Sequence, residues 1–249
     1  HAERPVLVAG GGVTHSRAQQ EVVAIAEKLS IPVATSLNGR GAIPEDHPMA
    51  VGVVGHYSRW SANRVVGEAD LVIYVGSRTG SVVTNEWTVP APGTRIVQVD
   101  IEPNELGRNY PTKIAVQADA RAFLRDLIAA VTDTDKESKD EWIAHVQEIV
   151  KAWHDENSTH FNSDAIPMRP ERLCKEVTEH LPSDAVLVQI PGMLGAGQVQ
   201  AWNLGIPINA ISAARDRWGG AFQAPWALSV LCPTGQSSVS LATGASGTT

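Results

Sequence analysis

The first 131 residues alternate between short, continuous apolar runs and segments in which apolar residues recur at helical spacing. Continuous apolar runs are typical of strands that are buried on both faces of a parallel sheet. Apolar positions three and four residues apart predict amphipathic helices that cover such a sheet. The predicted strands are 5–9, 31–35, 71–75, 96–101 and 113–117, and the predicted helices are 18–29, 61–69 and 120–131. This alternation predicts an α/β fold with a Rossmann-like parallel sheet.

After residue 131 the compact pattern gives way to connecting segments. Residues 132–139 are a charged linker, and the apolar residues of 140–155 predict an amphipathic helix that packs on a neighbouring domain. A polar connector leads to a predicted helix at 170–180 and a strand at 185–188. The predicted organisation is a domain at 1–131, a linker and helix at 132–169, the start of a second α/β domain at 170–188, and a tail at 189–249.

The tail from Gln189 to Thr249 carries almost no charge. Its only charged side chains are Arg215, Asp216 and Arg217, and Gly, Ala, Ser, Pro, Gln and Trp dominate. A globular surface needs charged groups to stay in solution, and no helical or strand period survives in the tail. The pattern therefore argues against an ordinary second domain.

Composition and charge exclude several classes of function. The formal net charge is −7, and no cluster of Lys and Arg offers a footprint for DNA or RNA. No apolar run is long enough to cross a bilayer, and no signal segment opens the chain. The two cysteines, Cys174 and Cys232, fit neither a disulfide framework nor a metal site. We therefore expect a cytoplasmic protein that binds neither nucleic acid nor membrane.

A glycine turn between the first predicted strand and helix is a candidate phosphate site. The backbone N–H groups of Gly10, Gly11 and Gly12 are suited to a phosphate there. The dinucleotide fingerprint G-x-G-x-x-G is met only in part, because His15 stands in place of its third glycine. A tight turn without a ligand fits this motif equally well.

Two further candidates follow other predicted strands. Asp100 can accept hydrogen bonds from a ribose, because ligands of open α/β sheets bind beyond the carboxyl ends of the strands. Arg78, which follows Gly76, can pair with a phosphate. Taken separately, Asp100 also fits the N-cap of the next turn, and Arg78 fits a surface ion pair. Taken together with the glycine turn, three strand ends converge on one crevice.

Four stretches of the chain resemble the central domain of thiamine-diphosphate enzymes of the acetolactate synthase type. They are R-P-V-L-V-A-G-G-G-V at 4–13, A-E-K-L-S-I-P-V-A-T-S-L-N-G-R-G-A-I-P at 26–44, E-A-D-L-V-I-Y-V-G-S-R at 68–78 and I-V-Q-V-D-I-E-P-N-E-L-G-R-N at 96–109. The resemblance covers residues 1–131 and resumes at 170–188, which is similar to the beginning of that family's cofactor domain.

The resemblance implies a six-stranded central domain within a three-domain subunit. Flavin-carrying members hold FAD there, and other members hold ADP or no nucleotide. By position, the resemblance places Gly10, Gly11 and Gly12 at the pyrophosphate, Gly76 and Arg78 in the same crevice, Asp100 and Ile101 at the adenosine end, Asp119 near the adenine, and Asn38 and Gly39 near the flavin. One departure concerns the flavin, because those members carry a G-M-H-G loop where this chain has Gly-Val-Val-Gly at 52–55.

The resemblance also implies a fragment of a lyase or transferase that decarboxylates or ligates 2-oxo acids, with acetolactate synthesis as the nearest reaction. The parent would use thiamine diphosphate and Mg²⁺ and would form a homodimer or tetramer, because the family's active sites lie between subunits. The family's catalytic Glu belongs to an N-terminal domain outside this sequence, and residues 241–245 are L-A-T-G-A, without a ligand for Mg²⁺. We therefore expect the chain as written to bind neither group and to be inactive. The alternative is a non-catalytic adenine-nucleotide-binding or interaction module.

A shifted reading frame would explain the tail. When each new codon starts on the third base of the old one, residues 189–197 permit D-T-G-H-A-G-R-W, 207–220 permit D-Q-R-Y-I-R-S-A-G-S-L-G-W, and 238–249 permit C-F-T-G-D-G-G-F-W-Y-H. In this order the segments resemble the start of the family's cofactor domain, where G-D-G begins the metal and diphosphate motif. We hypothesise a frameshift near Val188; the alternative is a genuine tail rich in Gly, Ala and Ser.

Overall fold

The computed structural model describes residues 2–131, 137–180, 186–189, 228–231 and 239–241. The helices are α1 Gly11–His15, α2 Gln19–Leu29, α3 Trp60–Glu68, α4 Ala120–Ala130, α5 Glu137–Phe161 and α6 Pro170–His180. The strands are β1 Pro5–Ala9, β2 Val33–Thr35, β3 Ala50–Val53, β4 Leu71–Val75, β5 Arg95–Asp100, β6 Ile114–Gln117, β7 Val186–Gln189, β8 Leu228–Leu231 and β9 Val239–Leu241. Short 3₁₀ turns lie at Leu37–Gly39 and Pro103–Glu105.

β1 to β6 form one six-stranded sheet with the order β3-β2-β1-β4-β5-β6. Every pairing in it is parallel, and Val8 of β1 lies between Ala34 of β2 and Tyr74 of β4. The chain builds outward from β1 to β3 and then crosses back to β4, so the order reverses between β1 and β4. Such a switch point is where ligands bind in sheets of this kind. The predicted α/β, Rossmann-like parallel sheet is confirmed.

The apolar pattern does not predict β3. It assigns no element to residues 50–53, whereas Ala50–Val53 is an edge strand in which Val51 and Val53 are fully buried. Gly52 interrupts the apolar run and has a positive φ of 94°. Tertiary packing demands that glycine, because a Cβ there would lie 2.7 Å from Cδ of Arg59.

Both faces of the sheet are covered, which is why its strands are apolar at successive positions. Val6 and Val8 of β1 belong to the core cluster under α3 and α5. Leu7 and Ala9 point to the opposite face and belong to the cluster under α2 and α4. All of these side chains are at most 1% exposed.

α5 packs on this sheet rather than on a neighbouring domain. Trp142, Val146 and Ile149 are buried in the same cluster as α3 and the strands beneath it. The indole N–H of Trp142 donates a hydrogen bond of 3.1 Å to the carbonyl oxygen of Pro5. The periodicity of 140–155 therefore correctly indicates a helix with one buried face, but the surface that it covers is the first domain's own.

A buried ion pair holds the other half of α5. The Arg59 side chain is 3% exposed and pairs with Glu45, which also binds Arg40 at 3.1 Å. The Arg59 guanidinium stacks over the ring of Trp153, 4.7 Å from the centroid. Cation–π contacts of this kind are strongest when the cation is desolvated, so Arg59 links the end of β3 to α5.

The remaining elements follow the predicted start of a second unit. α6 begins at Pro170 and β7 begins at Val186, close to the predicted bounds. β7 pairs antiparallel with β8, and β8 pairs antiparallel with β9. The rest of the predicted tail at 189–249 lies outside the described residues. Within the described part of the chain, no helix is both long enough and apolar enough to span a membrane.

The amino ends of the strands meet at Asp70, which precedes β4. Its carboxylate accepts hydrogen bonds from the backbone N–H groups of Glu3 (3.0 Å) and Arg4 (2.9 Å) and from the Arg95 guanidinium (2.9 Å). Partial burial raises the pKa of Asp70, but these donors outweigh burial and bring the pKa below its usual value of 3.8.

Asp70→Asn should flatten the acid limb of the stability curve. A carboxyl group whose pKa is depressed on folding contributes stability that is present above its unfolded pKa and is lost as the pH falls through the folded pKa. The free energy of unfolding of the native protein should therefore fall more steeply below pH 3.8 than that of the variant. Urea titrations between neutral and acidic pH measure this difference, and parallel curves would contradict it.

Candidate functional site

Backbone hydrogen bonds tie the carboxyl ends of the strands into one row. Each neighbouring pair of strands in the sheet is joined just beyond its last residues. The bonds are Val54 N to Thr35 O (2.9 Å), Ser36 N to Ala9 O (2.9 Å), Gly10 N to Val75 O (2.8 Å), Gly76 N to Val99 O (2.8 Å) and Ala118 N to Asp100 O (3.1 Å). The predicted site residues thus lie along one continuous edge.

At the switch point the turns after β1 and β4 touch through backbone atoms. A Cβ at Gly10 would lie 2.1 Å from the carbonyl oxygen of Gly76, and one at Gly12 would lie 2.6 Å from Cα of Gly76. Gly76 itself has a φ of +62°, and a Cβ there would lie 2.5 Å from Cα of Gly12. Only glycine fits at these positions.

The same contact uses backbone donors that were predicted to hold a phosphate. The N–H of Gly10 donates to Val75, and the N–H of Gly12 donates to the carbonyl oxygen of Gly76 at 3.0 Å. α1, which starts at Gly11, is a helix of only five residues. The N–H groups of Gly10 and Gly12 therefore serve the contact between the two turns.

The turn after β2 completes this half of the edge. A Cβ at Gly39 would lie 2.1 Å from the carbonyl oxygen of Ala9, so this turn also packs on β1 through backbone atoms. The side chain of Asn38 is exposed, and its Cβ lies 3.2 Å from the position of a Cβ at Gly11. The structure thus brings Gly10, Gly11 and Gly12 together with Asn38, Gly39 and Gly76.

The two carboxylates at the other half of the edge accept local hydrogen bonds. Oδ1 of Asp100 accepts from the N–H of Glu102 at 3.0 Å, but Glu102 and not Asp100 is the N-cap of the turn at Pro103–Glu105. Asp119 is the N-cap of α4, and its Oδ1 accepts from the N–H groups of Arg121 (2.9 Å) and Ala122 (3.0 Å). Between them, Ile101 is 69% exposed, which is unusual for a large apolar side chain next to a buried strand.

Arg78 extends into solvent beside this half of the edge. Its side chain is 81% exposed, and its Nε lies 3.9 Å from Oε1 of Glu105. The Arg108 guanidinium binds the same oxygen at 2.9 Å. An exposed guanidinium held only loosely is well placed to meet a phosphate group.

Gln98 organises the loops around Arg78, and the sequence analysis did not single it out. This residue of β5 is 1% exposed. Its amide donates to the carbonyl oxygens of Ser77 (3.3 Å) and Glu105 (2.9 Å) and accepts from the N–H of Gly107 (2.9 Å). A lone amide inside the apolar run I-V-Q-V-D is the signal that could have revealed it, because buried polar side chains almost always have partners.

Among the described residues, neither a metal cluster nor the cavity between β2 and β3 offers an alternative centre. Among them, no three His, Cys, Asp or Glu side chains lie close enough together to hold a metal ion. A cavity of about 10 Å³ between β2 and β3, lined by residues that include Thr35 and Glu45, is too small for a nucleotide. The carboxyl edge is the surface where the predicted binding residues converge.

Comparison with known proteins places this sheet in a family. The model of the thiamine pyrophosphate enzyme central domain matches residues 1–127. That range ends within α4, so it contains all six strands of the sheet and each of the predicted binding residues.

Relatives with assigned names cover more of the chain. A probable acetolactate synthase large subunit of Methanocaldococcus jannaschii is 37% identical over 202 residues, which are 81% of this chain and 34% of that protein. The glyoxylate carboligase of Escherichia coli O157:H7 is 32% identical over 197 residues, which are 77% of this chain and 32% of that protein. An acetolactate synthase large subunit of Cyanidium caldarium is 31% identical over 179 residues, 72% of this chain and 30% of that protein. The chain thus spans about a third of the length of these relatives.

Gly76→Ala should destabilise the fold at the switch point, whereas Gly80→Ala should leave the stability of the protein nearly unchanged. Alanine at 76 would meet the backbone of Gly12 at 2.5 Å and would need a left-handed φ, while a Cβ at 80 meets nothing within 4 Å. We expect Gly76→Ala to lower the free energy of unfolding by about 2 kcal/mol or more, and Gly80→Ala to change it by less than about 0.5 kcal/mol. Urea denaturation measures both, and equal losses would contradict the close backbone contact.

Proposed function

This chain belongs to the thiamine-diphosphate-dependent enzymes of the acetolactate synthase type, whose central domain it carries, and we propose that its parent protein is a cytoplasmic carboligase or decarboxylase acting on 2-oxo acids. The relatives that support this proposal are named acetolactate synthase and glyoxylate carboligase. Both names describe joining of carbon units, so the reaction class is better supported than the identity of the 2-oxo acid.

In the parent, thiamine diphosphate would supply the nucleophile that attacks the substrate carbonyl and stabilises the resulting carbanion. The described residues do not fit the binding of thiamine diphosphate and Mg²⁺. Their donor set contains no cluster for the Mg²⁺ that binds the diphosphate, and the family resemblance assigns the catalytic Glu to another domain. We propose that the chain as written binds neither group and is inactive, and that the parent works as a homodimer or tetramer.

The codons that could encode the tail support an enzyme origin. The out-of-frame readings that residues 189–197, 207–220 and 238–249 permit follow the order of the cofactor domain and include G-D-G. We propose that the parent gene changes frame near Val188, the third residue of β7. The alternative, a stand-alone adenine-nucleotide-binding or interaction module, requires the frame to be intact.

Resequencing the gene across the Val188 codon and through its 3′ end should find one inserted or deleted base. Restoring the frame should then extend the open frame through the G-D-G segment, and upstream DNA should encode a further domain in frame. An intact frame with no coding sequence on either side would contradict the enzyme origin and favour the module.

In both cases the carboxyl edge is proposed to bind an adenine nucleotide, either FAD or ADP. The exposed Ile101 offers an apolar surface to the adenine, and the exposed Asp119 offers a carboxylate oxygen to the adenine amino group. Asp100 is only 9% exposed and its Oδ1 accepts from Glu102, so its other carboxylate oxygen is the one proposed for the ribose. Arg78, exposed beside them, offers its guanidinium to the diphosphate. The observation that carries this proposal is the exposure of Arg78, which follows β4 at the switch point, and of Ile101, which follows the neighbouring strand β5.

Arg78→Met should weaken ADP binding by about tenfold, because one charge-assisted contact to the diphosphate is lost. Adenosine, which has no phosphate, should bind both proteins equally. Arg64→Met is the matched control, because Arg64 is a half-exposed arginine of α3 whose charge pairs with Glu68. Isothermal titration calorimetry measures the affinities of the native protein and of both variants. Equal losses from Arg78→Met and Arg64→Met would show a general charge effect and contradict the assignment.

A further inference from the structure

The two halves of the carboxyl edge differ in what they leave open to a ligand. At the β4–β6 half, the side chain of Arg78 is 81% exposed and Ile101 is 69% exposed. Asp119 is exposed as well. All three side chains are therefore open to a ligand from solvent.

At the β2–β3 half, the segment at 52–55, where the flavin-carrying members have a different sequence, uses several backbone groups for internal hydrogen bonds. The N–H of Val54 donates to Thr35 (2.9 Å), and the carbonyl oxygen of Val53 accepts from Arg59 (3.1 Å). Asn63 binds both groups of Gly55, accepting from its N–H at 2.8 Å and donating to its carbonyl oxygen at 3.0 Å. A flavin ring is recognised through hydrogen bonds at its edge, and the N–H groups of Val54 and Gly55 could donate to it only by breaking these internal bonds.

The valine side chains of this segment are also unavailable to a ligand. Val53 is fully buried and Val54 is 2% exposed, so both belong to the core of the sheet. The segment after β4 packs closely against Gly55, because a Cβ at Gly55 would lie 2.0 Å from the carbonyl oxygen of Val82. The N–H of His56 donates to that same carbonyl at 2.7 Å. The loop is thus closed against the protein on both sides.

The glycine turn adds to this asymmetry. Two of its N–H groups, those of Gly10 and Gly12, donate to Val75 and Gly76. Recognition of the phosphates therefore depends more on the Arg78 guanidinium.

We infer that this edge recognises adenosine diphosphate alone and that a flavin attached to it makes no contact with the loop at 52–55. The inference rests on the nucleotide site proposed above and selects between its two ligands. The flavin half of FAD then lies in solvent when FAD binds. The residues at 52–55 serve the core, and they do not fit a flavin.

The test compares ADP, FAD and FMN as probes for the full chain by calorimetry. We expect ADP and FAD to bind with dissociation constants within about threefold of each other, and FMN, which lacks the adenosine, not to bind. Arg78→Met should weaken ADP and FAD by the same factor. A second readout is spectroscopic, because a flavin left in solvent keeps its visible spectrum and is quenched by iodide as readily as free FMN.

Each alternative outcome overturns a different statement. FAD binding at least about tenfold tighter than ADP, or any binding of FMN, would overturn the inference and leave the nucleotide site standing. A flavin protected from iodide would do the same. Failure of both ADP and FAD to bind would overturn the proposed nucleotide site and the inference with it.

Discussion

Gly10 and Gly12 lie directly against Gly76, so the turns after β1 and β4 meet through backbone atoms alone. The strand order reverses between these two strands, and the row of hydrogen bonds along the carboxyl edge passes through this contact. Any side chain at these positions would separate the turns and the strands that lead into them. The contact also uses N–H groups that a phosphate would otherwise bind, so the constraint that closes the sheet restricts what the edge can recognise.

α5 shows how the domain extends beyond its sheet. Trp142 and Trp153 anchor the two halves of the helix, one in the apolar core and one on the buried guanidinium of Arg59. Burial of an arginine is costly unless it is paired, and Glu45 supplies the charge that permits it. The helix therefore completes one face of the sheet, and a domain that ended at residue 131 would leave that face exposed to water.

Family membership and the chain's own residues support different parts of the proposed function. Membership comes from the match over residues 1–127 and from relatives three times as long as the segment they share with this chain. A shared fold does not by itself determine a reaction, so membership alone does not assign the chemistry to this sheet. The sheet contributes a rigid edge, exposed at Arg78 and Ile101 and closed at Val53 and Val54. That difference is a property of this chain's own residues.

The sequence by itself determined most of the α/β alternation and the family, because buried strands and half-buried helices leave distinct apolar periods. It also placed the binding candidates on one edge, since loops after parallel strands share an edge. Only the tertiary structure decided that Gly52 lies in a strand, that α5 covers the first domain, and that Gln98 joins the two loops after β4 and β5. The physical reason is the same in each case. A period shows that a residue is buried but not what covers it, and contacts such as that between Gly12 and Gly76 exist only once the sheet has assembled.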